Sequence, residues 1–335
     1  MTQTFNFKGK KEKLKQMYQK TGTITTNVLQ RAKALKAIFN GNDKAPNPPG
    51  AKSTAITAFE TELFKIKQRY AFDVYFDGSG ETPFVFKYSD PKANSLVTTF
   101  FNLDPYIGGY IAVNHVGKRV ILVFRGADHP KAHFYTAQFP LVPFNPQGQP
   151  GKPGTPSALM IHKGFKATYD AMPAKVRRTL MATLKQYPGY AFWLIGHSLG
   201  GVHASLLALE LHNLPGVGDR MRVTTFGRPR IGNKAFVDYF VSAKIKHDRF
   251  TIRNDVISRL GLTGMGYQSE NNEVHLAEDG KIYRIEGSAY ETGLGNANTE
   301  YNMQGINVHN NFLGISIWYS LKDLLGILIA AVKKL

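Results

Sequence analysis

The chain has 335 residues, 43% of them hydrophobic, a formal net charge of +18 and no cysteine. That is enough apolar sequence for one large domain or two small ones. Without cysteine there is no disulfide framework and no cysteine-ligated zinc, and with no RNP-like segment the basic charge points to anionic lipid or simple solubility rather than to nucleic acid.

In chain order, residues 1–39 read as a basic, mildly amphipathic extension, and NGNDKAPNPPGAKS (40–53) as a linker. The opening stretch lacks the apolar core of a signal peptide, and no Asn-x-Ser/Thr acceptor occurs. Together with the missing cysteines, this makes an intracellular setting the expectation, cytoplasmic or peripheral to an organelle or lipid surface. From Thr54 to Phe76 the spacing of Ile56, Phe59, Leu63, Ile66 and Tyr70 predicts a helix. YIAVNHV (110–116) and RVILVFRG (119–126) follow as strands, the second apolar throughout as a strand covered on both faces should be. HKGFKATYDAMPAKVRRTLMATLKQYP (162–188) reads as largely helical, FWLIG (192–196) as a buried strand, and the segment after it as a helix to about Leu214. Strand 223–227, helix 233–245, strand 249–253 and a hairpin in EVHLAEDGKIYRI complete the pattern. Alternating apolar strands and helices predict an α/β fold, a mostly parallel sheet with helices on both faces.

Residues 127–160 break that grammar. They are long for a loop and carry Phe134, Tyr135, Phe139, Leu141, Val142 and Phe144 before the Pro/Gly-rich GQPGKPGTP. So much apolar surface on a connection suggests a lid.

Gly196-His-Ser-Leu-Gly200 lies between a buried strand and a helix. This is the pattern of a nucleophile elbow, in which glycines let the sharp turn approach its neighbours and the serine hydroxyl, here Ser198, stands above the sheet. A serine hydroxyl needs a base, and the base needs an orienting carboxylate. In this kind of fold the chain order is serine, acid, histidine. Of ten histidines, only His275 and His309 lie far enough beyond Ser198. His275 sits in the hairpin and reads as a strand-face residue, so His309 is preferred. His197, His203 and His212 come too early and read as structural. Asp255 immediately follows RFTIRN (249–254), at the end where open parallel sheets gather their sites, whereas Asp248 is at the wrong end and Asp219 and Asp238 fall in a loop and a helix.

From about Ala55 to Tyr319 the chain resembles the fungal class 3 lipases, α/β-hydrolases that cleave triacylglycerols. The stretches that carry the likeness are YIAVNHVGKRVILVFRG, HKGFKATYDA, GHSLGG, VTTFGRPRIGN, FTIRNDVISRL, MGYQSENNEV and VHNNFLGI. The resemblance places Ser198 on the nucleophile, Asp255 on the acid and His309 on the base, and a mobile lid after FRG. It also implies an oxyanion hole from the backbone N–H groups of Ala127 and Leu199. The family usually has Thr or Ser where this chain has Ala127, so a slow enzyme or an altered substrate range is expected.

At the other end, Leu321, Leu324, Leu325, Leu328, Ile329, Val332 and Leu335 form a stripe interrupted by Lys322 and Asp323. It reads as an amphipathic helix (320–335), docked on the domain or on a lipid interface, rather than as a span. The terminal Lys-Lys-Leu is a partial likeness to a peroxisomal address. The organisation expected is therefore an extension and linker (1–53), a hydrolase domain (54–319) and that helix. The expected activity is hydrolysis of lipid carboxylic esters, most directly of triacylglycerols, with no metal or organic cofactor, a lipid ester as substrate and peripheral contact with a lipid surface. Phospholipase, short-chain esterase, acyltransferase and lipid-surface binding readings stand beside it. Oligomeric state has no signature in the sequence.

Overall fold

The computed structural model describes residues 52–76, 83–146, 159–286 (apart from 254, 256, 262, 271 and 278) and 308–316. The chain enters as strand β1 (Lys52–Ala55) and helix α1 (Ala58–Asp73), which ends in a 3₁₀ turn, Val74–Phe76. Strands β2 (Asn94–Leu103), β3 (Tyr106–Asn114) and β4 (Arg119–Phe124) follow. Next come α2 (Pro130–Thr136), β5 (Leu141–Pro143), β6 (Met160–His162), α3 (Lys163–Asp170) and α4 (Ala174–Gln186). The central unit is β7 (Ala191–His197), α5 (Leu199–Leu211), β8 (Met221–Phe226), α6 (Lys234–Ser242) and β9 (His247–Ile252). Strands β10 (Glu273–Leu276), β11 (Ile282–Glu286), β12 (Asn311–Phe312) and β13 (Ile315–Ser316) complete the described elements.

Nine strands form one sheet in the order β1-β11-β10-β9-β8-β7-β4-β3-β2. Its five central strands, β4, β7, β8, β9 and β10, run parallel, and antiparallel strands extend both sides. The apolar runs make physical sense here. In β4, Val120, Leu122 and Phe124 enter the core under α3, α4, α5 and α6, while Ile121 and Val123 face the core that α1 covers. Alternation at period 2 therefore buries every residue of the run. In α5 nearly every side chain is buried, because the helix lies between the sheet and α3 with small residues on its sheet side.

The helix predicted from Thr54 exists but starts later. Thr57 accepts a hydrogen bond from Glu60 N (3.1 Å), and Glu60 Oε2 accepts one from Thr57 N (2.9 Å), a capping box that fixes its first turn. Its buried face is Phe64, Lys67, Tyr70 and Ala71, and Phe59, counted in the sequence stripe, is 77% exposed. The linker reading is corrected at its end: Lys52 and Ser53 belong to β1, which pairs with β11. The largely helical stretch expected over 162–188 is built as two helices, with Ala171, Met172 and Pro173 between them. The expected lid is divided as well. Phe144 is a core residue and Leu141–Pro143 pairs with Met160–His162, while Phe134 on α2 is half-exposed. The stretch 147–158 lies outside the described residues, as do the 1–39 extension and the 320–335 helix. No described helix is long and apolar enough to cross a membrane.

Candidate active site

The C-terminal ends of β4, β7, β8 and β9 converge on Ser198. Serine 198 has φ 56° and ψ −126°, a conformation that non-glycine residues rarely adopt. The turn is held by close backbone approach. A Cβ on Gly196 would lie 2.2 Å from Gly200 O, and one on Gly200 would lie 2.2 Å from Phe124 O. Only glycine allows the strand, the turn and the head of α5 to close this tightly. Ser198 N–H also donates to Phe226 O on β8 (2.8 Å), which ties the elbow across the sheet.

Asp255 follows β9 and is 1% exposed. Its Oδ1 accepts from Ile257 N (2.8 Å), and its Oδ2 lies 2.9 Å from His309 Nδ1. That places His309 Nδ1–H toward the carboxylate and leaves Nε2 as the lone-pair nitrogen. Nε2 is buried and has no hydrogen-bond partner among the described residues. Asn311–Phe312 and Ile315–Ser316 form a small hairpin, and Phe312 anchors His309 in the core beside Phe72 and Phe226.

The sequence reading missed the corner that seats the acid–histidine pair. Gly227 leaves β8 with φ +59°, and its α-carbon faces both partners. The next residue, Arg228, is 1% exposed and pairs with buried Glu270. Arg230 donates to the carbonyls of Arg259 and Gly261, gripping the turn that follows Asp255. GRPR thus stiffens the acid loop from behind. Removing one partner of a buried ion pair typically costs about 3–5 kcal/mol, because the other charge is left uncompensated. Glu270→Ala should therefore lower unfolding stability by about that amount in a denaturant titration.

Ala127, half-buried, follows β4. A Cβ on Gly126 would sit 3.1 Å from Ser198 Cβ, so the Ala127 loop borders the serine as Leu199 does from the head of α5. Tyr106, Arg125 and Asp128 fix this loop. Asp128 accepts from Arg125 Nε (2.8 Å) and from Tyr106 Oη, while Arg125 Nη1 donates to Val74 O (3.1 Å). Burial, and then the Asp128 carboxylate, push the Tyr106 hydroxyl well above the usual phenol range, so it stays a donor. Beside the loop, α2 is capped by His129 and held to the β2–β3 turn by Asp104, which accepts from Lys131 Nζ (2.8 Å) and Tyr135 Oη (2.7 Å).

The other candidates have structural partners. His275 meets Thr251 Oγ1 at 2.9 Å, His203 meets Thr168 Oγ1 at 2.9 Å, and His212 Nδ1 meets Leu209 O at 2.8 Å. Asp248 pairs with Arg284 and Asp238 with Lys234. Among the described residues no group of three or more His, Asp or Glu side chains could hold a metal ion.

A central parallel sheet whose middle strand delivers a serine-bearing elbow is the α/β-hydrolase fold. Residues 121–264 match the family described as Lipase (class 3). It is 29% identical over 164 residues to a lipase of Rhizomucor miehei, an alignment covering 48% of this chain and 43% of that protein. It is 28% identical over 231 residues to secreted mono- and diacylglycerol lipase A of Penicillium camembertii, covering 66% and 72%. The solved Rhizomucor miehei triacylglyceride lipase superposes with a TM-score of 0.67 at 22% identity, covering 79% of this chain and 98% of that one.

Proposed function

We propose that this chain hydrolyses carboxylic esters of lipids, triacylglycerols foremost, through an acyl-serine intermediate. The observation that carries the reading is the buried Asp255–His309 pair standing at the same strand ends as the strained Ser198 elbow. Ser198 Oγ attacks the ester carbonyl while His309 Nε2 takes its proton, and Asp255 holds the ring and supports the imidazolium. Negative charge on the carbonyl oxygen is met by the N–H groups of Ala127 and Leu199. Collapse expels the alcohol, which leaves with the proton from Nε2. Water then attacks the acyl carbon as it gives a proton to the same nitrogen, and collapse releases the acid while Nε2 returns that proton to Ser198 Oγ.

Initial rates on triacylglycerol emulsion, phospholipid vesicles and soluble short-chain esters test the substrate class. The proposal expects the triacylglycerol rate to lead; phospholipid alone being cleaved would overturn it. Exposed Phe134 on α2 and the +18 charge support contact with an anionic lipid surface. The intracellular setting is part of the proposal, and imaging of the tagged chain in its own cells decides it.

Ala127 carries no hydroxyl, so one oxyanion donor used by relatives of the Ser/Thr type is missing. A donor of this kind is worth up to about 100- to 1000-fold in turnover. Ala127→Ser should raise kcat on a soluble ester, and an unchanged or lower kcat in folded protein would count against this placement of the hole.

A further inference from the structure

His197 is fully buried, and nothing in the reaction as described uses it. Yet its hydrogen bonds run to His309 and Tyr75 beside the site. It precedes Ser198 in the chain. Its Nε2 lies 3.0 Å from the main-chain oxygen of His309, and the two rings are 4.6 Å apart. Its Nδ1 lies 2.7 Å from Tyr75 Oη, which in turn lies 3.1 Å from Gly126 N, the residue before Ala127.

The direction of this chain of bonds follows from what each group can do. A carbonyl oxygen only accepts, so His197 Nε2 carries the hydrogen. In the neutral ring Nδ1 is then a bare acceptor, and the Tyr75 hydroxyl donates to it. The Tyr75 oxygen keeps lone pairs to accept from Gly126 N–H. All four groups are satisfied at once with His197 neutral. Burial, followed by the proximity of His309, pulls the His197 pKa well below the usual histidine range, in keeping with that tautomer. Phe72 and Phe312 pack edge-on against the ring and remove its freedom to turn.

We propose that His197 and Tyr75 are positioning residues that lock the base and the oxyanion loop to the nucleophile through the path Gly126–Tyr75–His197–His309. The His309 main chain is held from below by the residue that carries Ser198, so the Nε2–Oγ approach is set by one imidazole. The same imidazole, through Tyr75, sets where the Ala127 loop stands. A neutral neighbour is also what the reaction needs: His309 becomes a cation in each half-reaction, and a second cation 4.6 Å from its ring would oppose that step.

This inference rests on the ester-hydrolase reading. It is tested with Tyr75→Phe, His197→Phe, His197→Gln and the Tyr75→Phe/His197→Phe double variant, using kcat and KM on a soluble p-nitrophenyl ester and thermal midpoints as the check on folding. Tyr75→Phe should lower kcat about 10- to 100-fold with KM unchanged, the scale expected when reacting groups lose alignment. The double variant should be no slower than His197→Phe alone, because both substitutions break one path. His197→Gln, which keeps an amide donor for the His309 carbonyl, should be faster than His197→Phe. Wild-type kcat in Tyr75→Phe, or losses that add in the double variant, would overturn the proposal. If His197→Phe fails to fold, Tyr75→Phe decides alone. A wild-type protein that turns over no ester removes the functional reading and this inference together; a working wild type with an unaffected Tyr75→Phe removes the inference only.

Discussion

Asp255→Asn should lower kcat about 10⁴-fold while leaving the fold intact, the scale seen when an orienting carboxylate becomes an amide. The structure says why the amide would face the wrong way. Asp255 Oδ1 accepts the Ile257 N–H at 2.8 Å. In the asparagine variant that N–H selects the side-chain oxygen, and the NH₂ group is turned toward His309 Nδ1. An amide donor there demands a bare Nδ1, which moves the ring hydrogen to Nε2, the atom that must accept the serine proton. The variant also removes the one negative charge seen beside the imidazolium, at a site where water cannot replace it, since Asp255 is 1% exposed. Steady-state kinetics on a soluble ester, with circular dichroism to confirm the fold, measure the effect. A kcat within about tenfold of wild type would mean that Asp255 is not the orienting group.

The second large effect is expected at Gly227. A methyl group there would stand 2.7 Å from His309 Cε1 and Nδ1 and 2.9 Å from Asp255 Oδ2. The backbone cannot retreat easily, because Gly227 N is bonded to Phe250 O at 2.9 Å and Arg228 behind it is paired with Glu270. His309 has to give way instead. Gly227→Ala should therefore cost at least about 100-fold in kcat, as expected when a catalytic ring is displaced by a fraction of an ångström to 1 Å. Its φ of +59° adds about 1–2 kcal/mol of backbone cost for any L-residue. Gly216→Ala separates the two contributions. Gly216 also has positive φ (+69°), but a Cβ there meets nothing within 4 Å, so this variant should lose stability and keep its activity. Equal activity losses in the two variants would show that the packing of Gly227 on the pair is unimportant.

The residues proposed for the chemistry each sit at a local signal in the sequence. Ser198 lies in a glycine-framed strand-to-helix junction, Asp255 lies just past the end of a strand, and His309 was preferred once chain order had set aside the earlier histidines and the hairpin had claimed His275. The central strands β4 and β7 were legible for a related reason: burial on both faces turns them into apolar runs that can be seen in one dimension. What surrounds them was not. The ten-residue edge strand β2 exposes one face irregularly and bulges between Leu96 and Thr98, so the alternation that would announce it is broken. Strand β1 is four residues long at the other edge and hides within a Pro/Gly-rich context. In the apolar stretch after FRG, hydrophobicity alone could not separate Phe144, which joins the core, from Phe134, which does not. Tyr75 and His197 are 122 positions apart, and no spacing rule connects them. His197 read as structural because it comes too early for a base. That assignment fits its buried place, although the ring stands at the centre of the site's hydrogen bonds.

The central claim is that Ser198 is an activated nucleophile served by His309. The most direct measurement treats the purified full chain with a fluorophosphonate, in the presence of detergent or lipid, and maps the label by peptide mass spectrometry. The account predicts modification of Ser198, none in Ser198→Ala, and strongly slowed labelling in His309→Ala. Folded protein that stays unlabelled, or that labels equally fast without His309, would contradict it.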